Sequence, residues 1–182
     1  MNCIIVHGLN IVKGFNQNEL DWIPWIKKEL EKREIDCDTP LMPRSWNPNY
    51  DEWKEEFEKL DIGENSILIG HSAGGAFLVR WLGETKQRIK KLILVAPAKV
   101  IDDFNGRLEI FYDFNVDDSI KNRVGEIVIF FSDTERKGIK EAVKLYSHMF
   151  EIVPIELKNK GHFIENHMGT KEFPELLNEI FK

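Results

Sequence analysis

Short apolar runs alternate along the chain with stretches in which apolar residues recur every three or four positions. Residues 2–6, 66–70, 92–95, 127–131 and 152–157 form such runs, and a shorter mixed one spans 35–39. Runs of this length, apolar on successive positions, predict strands buried on both faces. Between them, Trp22, Trp25, Ile26 and Leu30 share a helical face with Asp21 as the cap and Pro24 in the first turn. Trp53, Phe57 and Leu60 share another, opposite the charged Glu52, Lys54, Glu55, Glu56 and Glu58. Further helices are predicted after residue 72, over 140–150 and over 173–181. Strand and helix in alternation predict an α/β fold: a three-layer sandwich with a mostly parallel, six-stranded sheet covered on both faces. Residues 1–182 read as one domain, with irregular stretches at 9–20 and 98–126.

The run at 66–70 leads into Gly70-His71-Ser72-Ala73-Gly74 and then into small and apolar residues, Gly75-Ala76-Phe77-Leu78. Strand, Gly-x-Ser-x-Gly turn and helix in that order resemble the nucleophile elbow of α/β-hydrolases, a turn so tight that only small residues fit beside the serine. Such a turn lifts the Ser72 hydroxyl clear of the backbone. It also opens a helix, so the N–H of Ala73 points where an oxyanion would form. The second donor is expected from the loop after the first strand, at Leu9.

Composition narrows the partners. Apolar residues make up 42% of the 182 residues and charged ones 31%, the balance of a globular domain rather than a disordered chain. A net charge of −6 argues against nucleic acid or an anionic membrane as partner. The densest basic run, residues 86–91, reads as the solvated last turn of the helix after the elbow. No apolar run reaches the roughly 18 residues that span a bilayer. The first strand starts at once, and Cys3 and Cys37 are too few for a disulfide framework, so a cytoplasmic protein is expected.

A serine hydroxyl needs a base to take its proton. Of five histidines, His71 adjoins Ser72 on a sharp turn and must point away from it, and His7 suits a structural role at the end of the first strand. His148 lies in a predicted surface helix and His167 in a polar loop. No HExxH or cysteine cluster marks a metal site, and no Gly-x-Gly-x-x-Gly follows the first strand. His162, in the Gly-His-Phe turn after the last strand, completes the chain order Ser…acid…His. The acid is then expected just beyond residues 127–131, where both Asp133 and Glu135 are available.

Taken together, the strand into His7-Gly8, the segment 22–30, Trp53, the elbow and Gly161-His162-Phe163 resemble the retinoblastoma-binding protein 9 family. These are small serine hydrolases of the α/β-hydrolase superfamily that lack its first two strands. The resemblance covers nearly the whole chain. It implies cleavage of a small carboxylic ester or amide through an acyl-serine, with no metal or organic cofactor. It also favours Glu135 as the acid: relatives carry theirs three positions after a small residue, here Ser132, and Glu135 precedes His162 by 162 − 135 = 27 positions. Asp133 is the alternative. The chain departs from relatives in lacking their Asp-Asp pair, and in reading His7-Gly8-Leu9-Asn10-Ile11 where they often have His-Gly-x-x-Gly. A catalytically weak member acting as a protein-interaction module is therefore the second reading.

Overall fold

Six parallel strands form one sheet in the order β2-β1-β3-β4-β5-β6: β1 Asn2–Val6, β2 Asp36–Asp38, β3 Ser66–His71, β4 Ile89–Val95, β5 Val124–Ser132 and β6 Ile155–Leu157. The protein is described from a computed structural model covering residues 1–9, 16–99 and 108–182. Asn10 and Ile11, singled out in the sequence, lie outside these residues, as does part of the irregular stretch at 98–126. Every residue of β3 is buried, as are the last four of β1 and of β4. This explains their unbroken apolar character, because in a sheet covered on both sides neither face of a central strand meets water.

The covering layers come from α1 Ile23–Glu31, α2 Tyr50–Phe57, α3 Ala73–Thr85, α5 Lys137–Phe150 and α7 Pro174–Phe181, with one-turn helices α4 Glu109–Tyr112 and α6 Glu165–Met168. On one face Trp53 and Phe57 of α2 pack edge-on against Phe77 of α3, at ring separations of 5.6 and 5.2 Å. On the other, Trp22 at the start of α1 meets Phe173 at the start of α7 at 5.8 Å. Phe111, from the irregular stretch at 98–126, packs 5.0 Å from Trp53 and is core.

Several local expectations give way to tertiary contacts. Asp21 does not cap α1: it takes a left-handed φ of 56°, and its carboxylate accepts from the Glu165 N–H at 2.8 Å. The basic run is a solvated helix end only in part: Lys86, the C-cap of α3, Arg88 and Lys90 are exposed, but Lys91 is buried. The helix stops at Thr85, and β4 begins at Ile89, which brings Lys91 inward. There Lys91 donates to the Glu179 carbonyl at 2.7 Å and pairs with Glu126 at 2.6 Å. Both β4 and β5 start three residues earlier than their apolar runs, because their polar ends pair with each other, Lys91 opposite Glu126. His167 sits on α6 rather than in a loop.

The order of strands positions the chemistry. The chain runs outward from β1 to β2, returns beside β1 as β3, and proceeds the other way to β6. Carboxyl ends of parallel strands at such a reversal form a crevice, where ligands bind in open α/β sheets. His7, Ser72, Glu135 and His162 all follow strand ends on that side.

Candidate active site

The turn after β3 is shaped by sterics. A Cβ on Gly74 would lie 2.2 Å from the Val6 carbonyl oxygen, and one on Gly70 would lie 2.6 Å from the Gly75 Cα. Only glycine lets β1, β3 and α3 approach this closely. Between them Ser72 is held at φ 52°, ψ −114°, a conformation that a serine adopts only under constraint. The constraint is visible: its N–H donates to the Val95 carbonyl at 2.9 Å, and its carbonyl accepts from Ala98 N at 3.0 Å and Gly75 N at 3.1 Å.

Ser72 Oγ lies 3.0 Å from His162 Nε2, and His162 Nδ1 lies 2.7 Å from Glu135 Oε2. A carboxylate only accepts, so Nδ1 carries the proton and Nε2 is left to accept from the serine hydroxyl. The Glu135 side chain is 1% exposed and that of His162 15%. Burial pushes the Glu135 carboxyl up, but the hydrogen bond and charge of His162, with the Arg136 N–H at 2.8 Å, outweigh it and hold it below the usual value. Asp133 is turned elsewhere, its Oδ1 accepting from Asn159 N at 2.8 Å.

Ala73 is the first residue of α3, so its N–H has no partner within the helix. Leu9 follows Gly8, and a Cβ on Gly8 would stand 3.1 Å from the Ser72 Cβ. The β1 turn is therefore packed against the elbow. His7 ties it down: its Nε2 accepts from Met42 N at 3.0 Å, which leaves Nδ1–H to donate to the Gly8 carbonyl at 2.7 Å.

His71 points away from Ser72. Its Nε2–H donates to the His162 carbonyl at 2.9 Å, and its ring lies 5.1 Å from that of His162. Burial, reinforced by the neighbouring His162, lowers its pKa to about 3. Burial also lowers that of His7. Both histidines titrate near 6.5 once unfolded, so between that pH and their folded values the unfolded chain binds more protons. Stability is full above pH 6.5 and falls as the solution is acidified towards pH 3. At pH 5 the loss from His71 alone is about 2 kcal/mol. Urea unfolding at pH 7.5 and pH 5 checks this, and His71→Asn should flatten the dependence. An equal slope in the variant would rule the histidine out as its source.

Residues 3–181 match the model of the serine hydrolase family. The chain belongs to that family. It is an enzyme, and its fold recurs in solved relatives. YdeN of Bacillus subtilis strain 168 is 23% identical over 172 residues, 88% of this chain and 87% of that protein. The crystal structure of the ydeN gene product superposes with a TM-score of 0.85 at 20% identity, covering 99% of this chain and 96% of the other. Est1E of Butyrivibrio proteoclasticus, solved with ferulic acid bound, gives 0.66 at 15% identity, covering 98% and 87%. Among the described residues no group of three or more metal-ligating side chains converges, and no helix is long and apolar enough to cross a membrane.

Sequence reasoning misses Ser132, Thr134 and His167, whose side chains all bond to the backbone of the turn carrying His162. A Ser-Asp-Thr cluster at a strand end is the available signal, since these types bond to nearby backbone.

Proposed function

We propose that this serine hydrolase cleaves small carboxylic esters or amides through an acyl-serine intermediate, with Ser72 as nucleophile, His162 as general base and Glu135 as the triad acid. The reading rests on one observation above all, the unbroken line from Ser72 Oγ through both nitrogens of His162 to Glu135 at 3.0 and 2.7 Å. Its narrower form places the chain near the retinoblastoma-binding protein 9 group. The two free, buried cysteines favour a reducing compartment such as the cytoplasm.

In this scheme His162 Nε2 takes the hydroxyl proton as Ser72 Oγ attacks the acyl carbon. The N–H groups of Ala73 and Leu9 receive the oxyanion, each donor contributing about 10²–10³ in rate. The imidazolium is held by Glu135, and it passes its proton to the leaving alcohol or amine. Water, deprotonated by the same nitrogen, then releases the acid and restores Ser72.

A fluorophosphonate probe tests the proposal, because it labels only an activated serine. Wild-type protein should be labelled stoichiometrically at Ser72, and pretreatment should abolish hydrolysis of p-nitrophenyl esters. An ester series of increasing acyl length, with a feruloyl ester included because Est1E binds ferulic acid, would define the acyl group. A folded protein that resists the probe would favour the interaction-module reading instead.

A further inference from the structure

Four successive backbone N–H groups in the turn after β6 are each held by a different side chain. Asn159 N donates to Asp133 Oδ1 at 2.8 Å, Lys160 N to Ser132 Oγ at 3.0 Å, Gly161 N to Thr134 Oγ1 at 3.1 Å and His162 N to His167 Nδ1 at 3.0 Å. Three acceptors come from the three residues that immediately precede Glu135, and the fourth comes from α6.

The turn needs holding. Asn159, Gly161 and Phe163 alternate with their neighbours at φ of 56°, 51° and 56°. Left-handed non-glycine residues persist only where the surroundings over-determine them. Alternation of this kind also points successive N–H groups into one concavity that suits an anion or a set of oxygens. Asp133 supplies the carboxylate, and its bond to Asn159 N, with the nearby Lys158, keeps its pKa below the usual range. The hydroxyls of Ser132 and Thr134 are 3.0 Å apart and Ser132 Oγ lies 3.4 Å from Asp133 Oδ1, so three of the four acceptors are linked. On the far side the His167 ring covers Gly161, where a Cβ would lie 2.6 Å from Nδ1.

We propose that Asp133, Ser132, Thr134 and His167 are positioning residues that fix the backbone of His162, so that its ring spans Ser72 and Glu135 in register. The proposal rests on the triad reading above. It gives one short segment, residues 132–135, two tasks: Glu135 meets the imidazole, and its three predecessors set where the imidazole stands. Misplacement of a reacting group by about 1 Å can cost on the order of 10²-fold in rate, so partial loosening should appear in kcat.

The test compares paired variants, with kcat expressed per serine titrated by fluorophosphonate so that unfolded protein does not count. Asp133→Ala and Thr134→Val, which remove the acceptors, should each lower kcat about tenfold, with KM within about twofold of wild type. Asp133→Asn and Thr134→Ser keep an acceptor oxygen and should recover most of that loss. Thr134 is exposed, so its variants fold even if those at Asp133 do not. Wild-type kcat in both Asp133→Ala and Thr134→Val, with Glu135→Gln inactive, would overturn the positioning role and leave the triad standing. Asp133→Asn as inactive as Asp133→Ala, with Glu135→Gln active, would overturn the triad assignment and this proposal with it.

Discussion

Ser72→Ala is expected to lower kcat for ester hydrolysis by at least about three orders of magnitude, while the urea midpoint stays near that of wild type. Among the described residues the hydroxyl removed has one hydrogen-bond partner, His162 Nε2 at 3.0 Å, and the turn beneath it is held by backbone bonds that alanine keeps. On the proposed mechanism, what survives is the catalysis that the N–H groups of Ala73 and Leu9 give to attack by water. His162→Ala should match this loss, and Ser72→Ala/His162→Ala should be no worse than either alone, because nucleophile and base act as a unit. Measured rates on a p-nitrophenyl ester, after each variant is shown to be folded, decide it. Unchanged turnover in folded Ser72→Ala would remove Ser72 from the mechanism.

Features set by short-range sterics are legible in the amino-acid sequence itself. The elbow is one, since the approach of Gly75 within the turn itself excludes a side chain at residue 70. The first strand is another: buried on four of its five positions, it leaves no ambiguity of period. Chain order, together with the Gly-His-Phe turn after the last strand, singles out His162. What escapes the sequence depends on partners distant along the chain. Lys91 reads as solvated because Glu126 and the Glu179 carbonyl are 35 and 88 positions away. Asp21 reads as a cap because nothing local reveals that the N–H of Glu165 needs its carboxylate. Lys90 and Lys91 of β4 and Gly125 and Glu126 of β5 carry little strand propensity and are strand residues because the two strands pair there. Asp133 and Glu135 pose the same difficulty, being two acids in one turn whose directions depend on where residues 159–162 return.

Glu135→Gln is expected to lower kcat by about 10⁴, and the reason lies in the donors that its two oxygens face. Oε1 accepts from the Arg136 N–H at 2.8 Å, and Oε2 accepts from His162 Nδ1 at 2.7 Å. Glutamine has one carbonyl oxygen and one amide nitrogen for the same two places. A backbone N–H cannot surrender its proton, so the carbonyl turns to Arg136 and the NH2 faces the imidazole. His162 can satisfy that amide only as an acceptor at Nδ1, which moves its own proton to Nε2. The nitrogen beside Ser72 then carries a proton and can no longer accept one from the hydroxyl. Asp133→Asn makes no such demand, because an orientation that turns its remaining oxygen to Asn159 N preserves the bond seen there. Steady-state kcat for the two variants on one ester is the measurement. The expected pattern is a loss near 10⁴ for Glu135→Gln beside a change of less than about threefold for Asp133→Asn. The reverse pattern would make Asp133 the triad acid.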